Sequence, residues 1–156
     1  MQAITPFLWF DNNAEEAANF YVSVFKDGEI GAVSRYGDAG PGPKGSVMVI
    51  SFEINGMKFT ALNGGPHFKF TEAVSFVINC KDQAEIDYYW EKLTADGGKE
   101  SQCGWLKDKF GLSWQVVPNN MGELMSNKDP EKNKKTMQAM MQMAKIDIAA
   151  LQEAGK

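Results

Sequence analysis

The sequence predicts an α+β fold in which two βαβββ modules form cupped mixed sheets, followed by a C-terminal helical extension. Three observations carry this prediction. Phe7-Leu8-Trp9-Phe10 runs into Asn13-Ala14-Glu15-Glu16, and the same strand-to-helix pattern recurs where Phe76-Val77-Ile78 runs into Asp82-Gln83-Ala84-Glu85. Each copy is followed by short β-type runs bounded by turn residues. Asn55-Gly56 joins two of those runs and suits a type I′ hairpin, which needs positive φ at both central positions.

Residues 3–10 are short, aromatic and β-branched, and they stop at Asp11-Asn12-Asn13, which predicts the first strand. Asn13 and Glu16 have the spacing of a capping box, and Ala17, Tyr21, Val24 and Phe25 then form one buried helical stripe. Asp27-Gly28 ends that helix. Ile30 to Tyr36 reads as a strand, followed by the breaker-rich loop Gly37 to Pro43. Val47 to Ile54 and Met57 to Asn63 complete the first module as a hairpin.

The second module opens with the strand Ala73 to Asn79. Asp82 then caps a helix, with Glu85 in the reciprocal position. Ile86, Tyr89, Trp90 and Leu93 make its buried stripe, and Asp96-Gly97-Gly98 stops it. Short strands follow near Lys99 to Gln102 and Gly104 to Lys107. Asp108 to Gly111 turns the chain into a last strand, Leu112 to Val117, ended by Pro118. Asp129-Pro130-Glu131 is a helix start with a capping acid and a first-turn proline. The Met-rich helix that follows carries Met137, Met140, Met141 and Met143, and Asp147 caps a final turn. The expected organisation is one domain over residues 1–128, with modules at about 1–66 and 72–120, and an extension over 129–156.

Composition narrows the function classes. Hydrophobic residues at 44% and aromatics at 12% describe a folded globular chain. A net charge of −4 argues against nucleic acid as a partner, and the cluster Lys132, Lys134, Lys135 reads as a solvated helix face. No apolar run approaches the roughly 20 residues that span a bilayer, and the N-terminal segment lacks the pattern of a secretory leader. Cys80 and Cys103 show neither metal spacing nor a disulfide framework. The expectation is a reduced, cytoplasmic protein with no membrane partner.

Three motifs occur in order: Thr5 to Asn12 with Ala14-Glu15-Glu16-Ala17 and Phe20-Tyr21; Gly104 to Gly111 with Ser113 to Pro118; and Met143 to Ile148. Together they resemble the PhnB-like branch of the vicinal-oxygen-chelate superfamily, which includes glyoxalase I, extradiol dioxygenases and bleomycin-resistance proteins. That branch carries the label 3-demethylubiquinone-9 3-methyltransferase. The resemblance implies the glyoxalase/bleomycin-resistance fold, a homodimer with sites near the subunit interface, and the superfamily's usual divalent metal. It places the four metal-ligand positions near Thr5 (or Pro6), Ala61, Val74 (or Ser75) and Gln115.

Of those residues Gln115 is a competent oxygen ligand, whereas a catalytic metal wants about three ligands drawn from imidazole, carboxylate or thiolate. A metal is therefore disfavoured and no cofactor is predicted. An adenosylmethionine site needs a glycine-rich turn leading from a strand into a helix. Here Gly40-Pro41-Gly42-Pro43 and Gly64-Gly65-Pro66 are loop glycines with strands after them.

If Ala61 and Gln115 face a cavity, strand alternation brings Phe59, Asn63, Ser113 and Val117 to the same side, and puts Trp114 and Val116 under helices. The same parity from Thr5 turns Phe7 and Trp9 inward. The expected pocket is therefore Thr5, Phe7, Trp9, Phe59, Ala61, Asn63, Ser113 and Gln115, with His67 at its mouth. The competing reading is that these side chains fill a closed core. His67 reads as a solvated loop residue or as a base at the pocket mouth, and Cys103 or Cys80 with His67 is a nucleophile candidate. The Met-rich helix reads as buried, as a dimer seam, or as a ligand lid. The expected function is binding of an unidentified small molecule in a metal-free pocket. The alternatives are a metal-dependent lyase, isomerase or dioxygenase using Gln115, His67 and a carboxylate, or methyl transfer.

Overall fold

The computed structural model describes residues 2–156. It contains eight strands and five α-helices in the order expected from two βαβββ modules and an extension. By internal contacts the chain divides into a first unit ending at Phe70 and a second beginning at Thr71 that includes the C-terminal helices.

The first unit contains β1 (Phe7–Phe10), α1 (Ala14–Val24), β2 (Glu29–Arg35), β3 (Val47–Ile54) and β4 (Met57–Asn63). Its sheet has the order β1-β4-β3-β2, with β1 parallel to β4 and the remaining pairs antiparallel. The Asn55-Gly56 turn has φ of 49° and 77°, as a type I′ hairpin requires. β1 starts later than residue 3 because Pro6 has no N–H to give a ladder. Residues before it are tied to β4 by other means: Pro6 O accepts from Thr60 N, and the Gln2 amide exchanges two hydrogen bonds with the Lys58 backbone.

One face of this sheet is closed by α1, which buries Ala14, Ala17, Ala18, Tyr21 and Val24. Tyr21 stacks on Phe52, and Phe52 on its register partner Phe59. Leu8, Phe10, Ile50 and Ala61 share this buried side. Each large side chain removed from water here contributes about 1.5–3 kcal/mol.

The second unit contains β5 (Ser75–Cys80), α2 (Gln83–Thr94), β6 (Lys99–Glu100), β7 (Trp105–Lys107) and β8 (Ser113–Pro118), ordered β5-β8-β7-β6. The Asp82 side chain accepts from Glu85 N, as expected, while Glu85 reaches back to Lys81 N rather than to the cap residue. α2 buries Ile86, Tyr89, Trp90 and Leu93, the stripe read from the sequence. Trp114 and Val116 lie under it.

A short helix α3 (Met121–Leu124), which carries no periodic signal, precedes α4 (Pro130–Met141) and α5 (Ile148–Ala154). Asp129 and Asp147 cap the last two through Glu131 N and Ala150 N. α4 departs from the buried-methionine expectation. It buries Thr136, while Met137 and Met141 are 44% and 59% exposed. The stretch between α4 and α5 is held instead: Cys103 N and Gly104 N donate to Met143 O and Ala144 O, and the Gln83 amide pairs with the backbone of Ile146 and Ile148.

Candidate functional site

Parity along each strand decides which side chains could meet a ligand. In the first unit the face opposite α1 carries Phe7 and Trp9 from β1, Ser51 and Glu53 from β3, and Lys58, Thr60 and Leu62 from β4. A cavity of about 570 Å³ opens on it, bordered by Thr5, Gly31, Ser51, Glu53, Lys58 and Thr60. Phe59 borders it too, but its ring is committed to the stack under α1.

The sequence-derived pocket is therefore split. Phe7 and Trp9 lie on the face opposite α1, as parity from Thr5 suggested, and Thr5 is exposed at the cavity rim. Phe59, Ala61 and Asn63 do not face that way. Phe59 is 3% and Ala61 0% exposed, and Asn63 bonds the start of α1. The error has a simple cause. Thr5 lies outside the β1 ladder, and the residue across from Thr60 is Phe7, so Ala61 pairs with the buried Leu8.

Trp9 donates its indole N–H to Gly65 O at 2.9 Å and meets Phe68 edge-on at 4.9 Å and His67 at 6.5 Å. A Cβ at Gly64 would lie 2.3 Å from the Trp9 ring, so this glycine exists to let the indole approach the backbone. Gly40 and Gly42 do the same on the two sides of the Tyr36 ring. His67 is exposed and borders a separate cavity of about 350 Å³ with Asp11, Tyr36 and Ser46.

In the second unit parity holds as expected. Ser113 and Gln115 lie on the face opposite α2, where Gln115 Nε2 donates to Ser75 Oγ at 3.0 Å. Ser113 is fully buried and its hydroxyl has no hydrogen-bond partner among the described residues. Sequence reasoning placed Ser113 on the correct face but had no means of finding this unsatisfied hydroxyl. Cys103 sits in a left-handed turn (φ 59°) with its thiol against Met140 O, and Cys80 is buried. The two thiols thus occupy unlike settings within the second unit.

The residues do not fit the superfamily's metal. Ala61 and Val74 offer methyl groups and Thr5 an exposed hydroxyl, so of these residues Gln115, whose Nε2 donates to Ser75, has in its Oε1 the one competent oxygen ligand. Among the described residues no three histidine, cysteine or acidic side chains gather as a ligand set. Nor do the glycines fit adenosylmethionine, because none of the loop glycines cited above leads into a helix.

Comparisons agree with this architecture. The family described as 3-demethylubiquinone-9 3-methyltransferase matches residues 2–117. A Bacillus cereus PhnB protein, described by the same activity, is 39% identical over 75% of this chain and 99% of its own, with a TM-score of 0.68. The Pseudomonas aeruginosa protein PA1353 is 23% identical over 76% of this chain and 98% of its own, with a TM-score of 0.62. The fosfomycin resistance protein FosX of Listeria monocytogenes, solved with Mn(II) and sulfate, is 16% identical over 79% of this chain and 95% of its own, with a TM-score of 0.53. No curated protein matches the chain.

Proposed function

The chain belongs to the 3-demethylubiquinone-9 3-methyltransferase family, the PhnB-like branch of the vicinal-oxygen-chelate superfamily, and from that premise we propose that it binds a small molecule without a metal. The observation that carries this reading is the 570 Å³ cavity on the uncovered face of the first sheet. Its size falls in the range of small-molecule sites, about 300–1,000 Å³. Hydroxyls of Thr5, Ser51 and Thr60 would orient a ligand there.

Methyl transfer is disfavoured because the glycines that would cradle a nucleotide are occupied by the Trp9 and Tyr36 rings. We also take the protein to be a cytoplasmic homodimer. Two free thiols support the reducing compartment, and no helix among the described residues is long and apolar enough to cross a membrane. Exposed Ile4 (85%) and Phe7 (59%) support a partner surface.

The test is ligand-observed NMR with a set of small planar organic molecules against the wild type and Thr60→Trp, which fills the cavity. Binding to the wild type and its loss in the variant is expected. Equal binding by both proteins, or stoichiometric transition metal on protein purified without a histidine tag, would overturn this reading.

A further inference from the structure

The register of the second sheet places four side chains in one row on the face opposite α2. Lys99 of β6 pairs with Lys107 of β7, Lys107 with Ser113 of β8, and Ser113 with Ser75 of β5. Like charges directly opposite in a strand pair repel, so two lysines at that position need anionic company. Lys107 has it from the Glu72 carboxylate, which it holds in an ion pair. Lys99 has no ion pair among the described residues.

Next in the row is Ser113, fully buried, whose hydroxyl is the unsatisfied one. A buried hydroxyl without a partner is costly, and native structures tolerate one where a water or ligand completes it. Ser75, its neighbour in the row, does not complete it: the Ser75 oxygen accepts from Gln115 and no bond joins the two hydroxyls. These groups border one cleft of about 240 Å³, walled on one side by the half-buried Trp105 ring. Glu100 also borders the cleft, but it belongs to the row facing α2, where its Oε1 accepts from the Trp90 indole at 2.7 Å.

We propose that this cleft is a binding site for the carboxylate of a compact organic acid, held by Lys99, Lys107 and the Ser113 hydroxyl, with Glu72 occupying the lysine side until the ligand displaces it. Glu72 itself shows that a carboxylate fits against Lys107. Its side chain is 61% exposed, so it can swing into water when displaced. Lys107 also holds the Glu72 carboxyl below its ordinary range, so the latch is charged and competes as an anion. The cleft is smaller than drug-sized sites, which restricts the acid to a compact one with a flat body against Trp105. The site lies wholly within the second unit and does not depend on the cavity of the first.

The test is titration of the ¹⁵N-labelled full chain with sodium benzoate, with sodium chloride at matched ionic strength as control. Saturable shifts at Ser113, Lys107 and the Trp105 indole are expected. Lys99→Gln and Ser113→Ala should each weaken binding about tenfold or more, and Glu72→Gln should tighten it by removing the competitor. Ser113→Ala deletes a hydroxyl that has no partner, so its melting temperature should not fall, which separates lost binding from lost folding. Non-saturating shifts matching those of chloride, benzoate affinity unchanged by Ser113→Ala, or weaker binding by Glu72→Gln would each overturn the site. The first-sheet cavity is untouched by these variants, so Thr60→Trp distinguishes failure here from failure there.

Discussion

The side-chain oxygen of Asn63, at the end of β4, accepts the backbone N–H of Ala14, the first residue of α1, at 2.8 Å. This strand residue does the capping that the sequence assigns to Asn13, whose side chain makes no cap bond. Its amide nitrogen meanwhile donates to Val47 O at 3.0 Å, so one side chain ties β4, β3 and α1 together. Asn63→Ala should cost about 1–3 kcal/mol, the sum of a lost cap and an unpaired carbonyl. Asn63→Asp, which keeps the acceptor, should cost less. Urea denaturation of both variants checks the order.

Asp108 is 2% exposed and its carboxylate is held by backbone and indole donors. Its Oδ1 accepts from Phe110 N and Leu112 N at 2.9 and 3.1 Å, and its Oδ2 accepts from the Trp114 indole at 2.9 Å. It is thus the organiser of the turn into β8 rather than a catalytic acid. Asp108→Ala strands three donors and should destabilise by about 3 kcal/mol or more. A loss under about 1 kcal/mol by chemical denaturation would contradict that role.

The Cys80 thiol is pushed up to about 12 by burial first, then by the charges of Glu85 and Asp82. Its ordinary value is near 9.0, so the unfolded chain releases this proton first. The stability that depends on keeping the thiol protonated is therefore complete below pH 9 and is lost as pH rises toward 12. Urea midpoints measured upward from pH 8 should fall, and fall less in Cys80→Ala. In the native protein at pH 8, a thiol reagent should leave Cys80 unmodified.

The Gln83 amide closes the C-terminal segment onto α2. Its Nε2 donates to Ile146 O and its Oε1 accepts from Ile148 N, both at 2.9 Å, beside the Lys145–Asp87 ion pair. Gln83→Ala should raise amide exchange at Ile148 and along α5 while leaving β5 and β8 protected. Uniform loss of protection over the whole second unit would show that the tail is integral to that core instead.

Much of the fold was legible because its signals are local. The Asn55-Gly56 hairpin, the Asp82, Asp129 and Asp147 caps and the Ile86-Tyr89-Trp90-Leu93 stripe each arise within a few residues, and each stands where the sequence put it. The site was legible in part. Alternation along β8 correctly grouped Ser113 with Gln115 and set Trp114 and Val116 beneath α2. It misjudged β4, where Phe59, Ala61 and Asn63 all belong to the side facing α1.

By itself, then, the sequence determined every element but the short α3, their order and most of their ends, since period and capping are properties of a short stretch of chain. Tertiary structure alone decided the rest. Alternation says which residues share a face, but not which face is covered; that depends on where α1 and α2 pack. It also takes three-dimensional register to align Lys99, Lys107 and Ser113 across three strands, and packing to leave one serine hydroxyl buried without a partner.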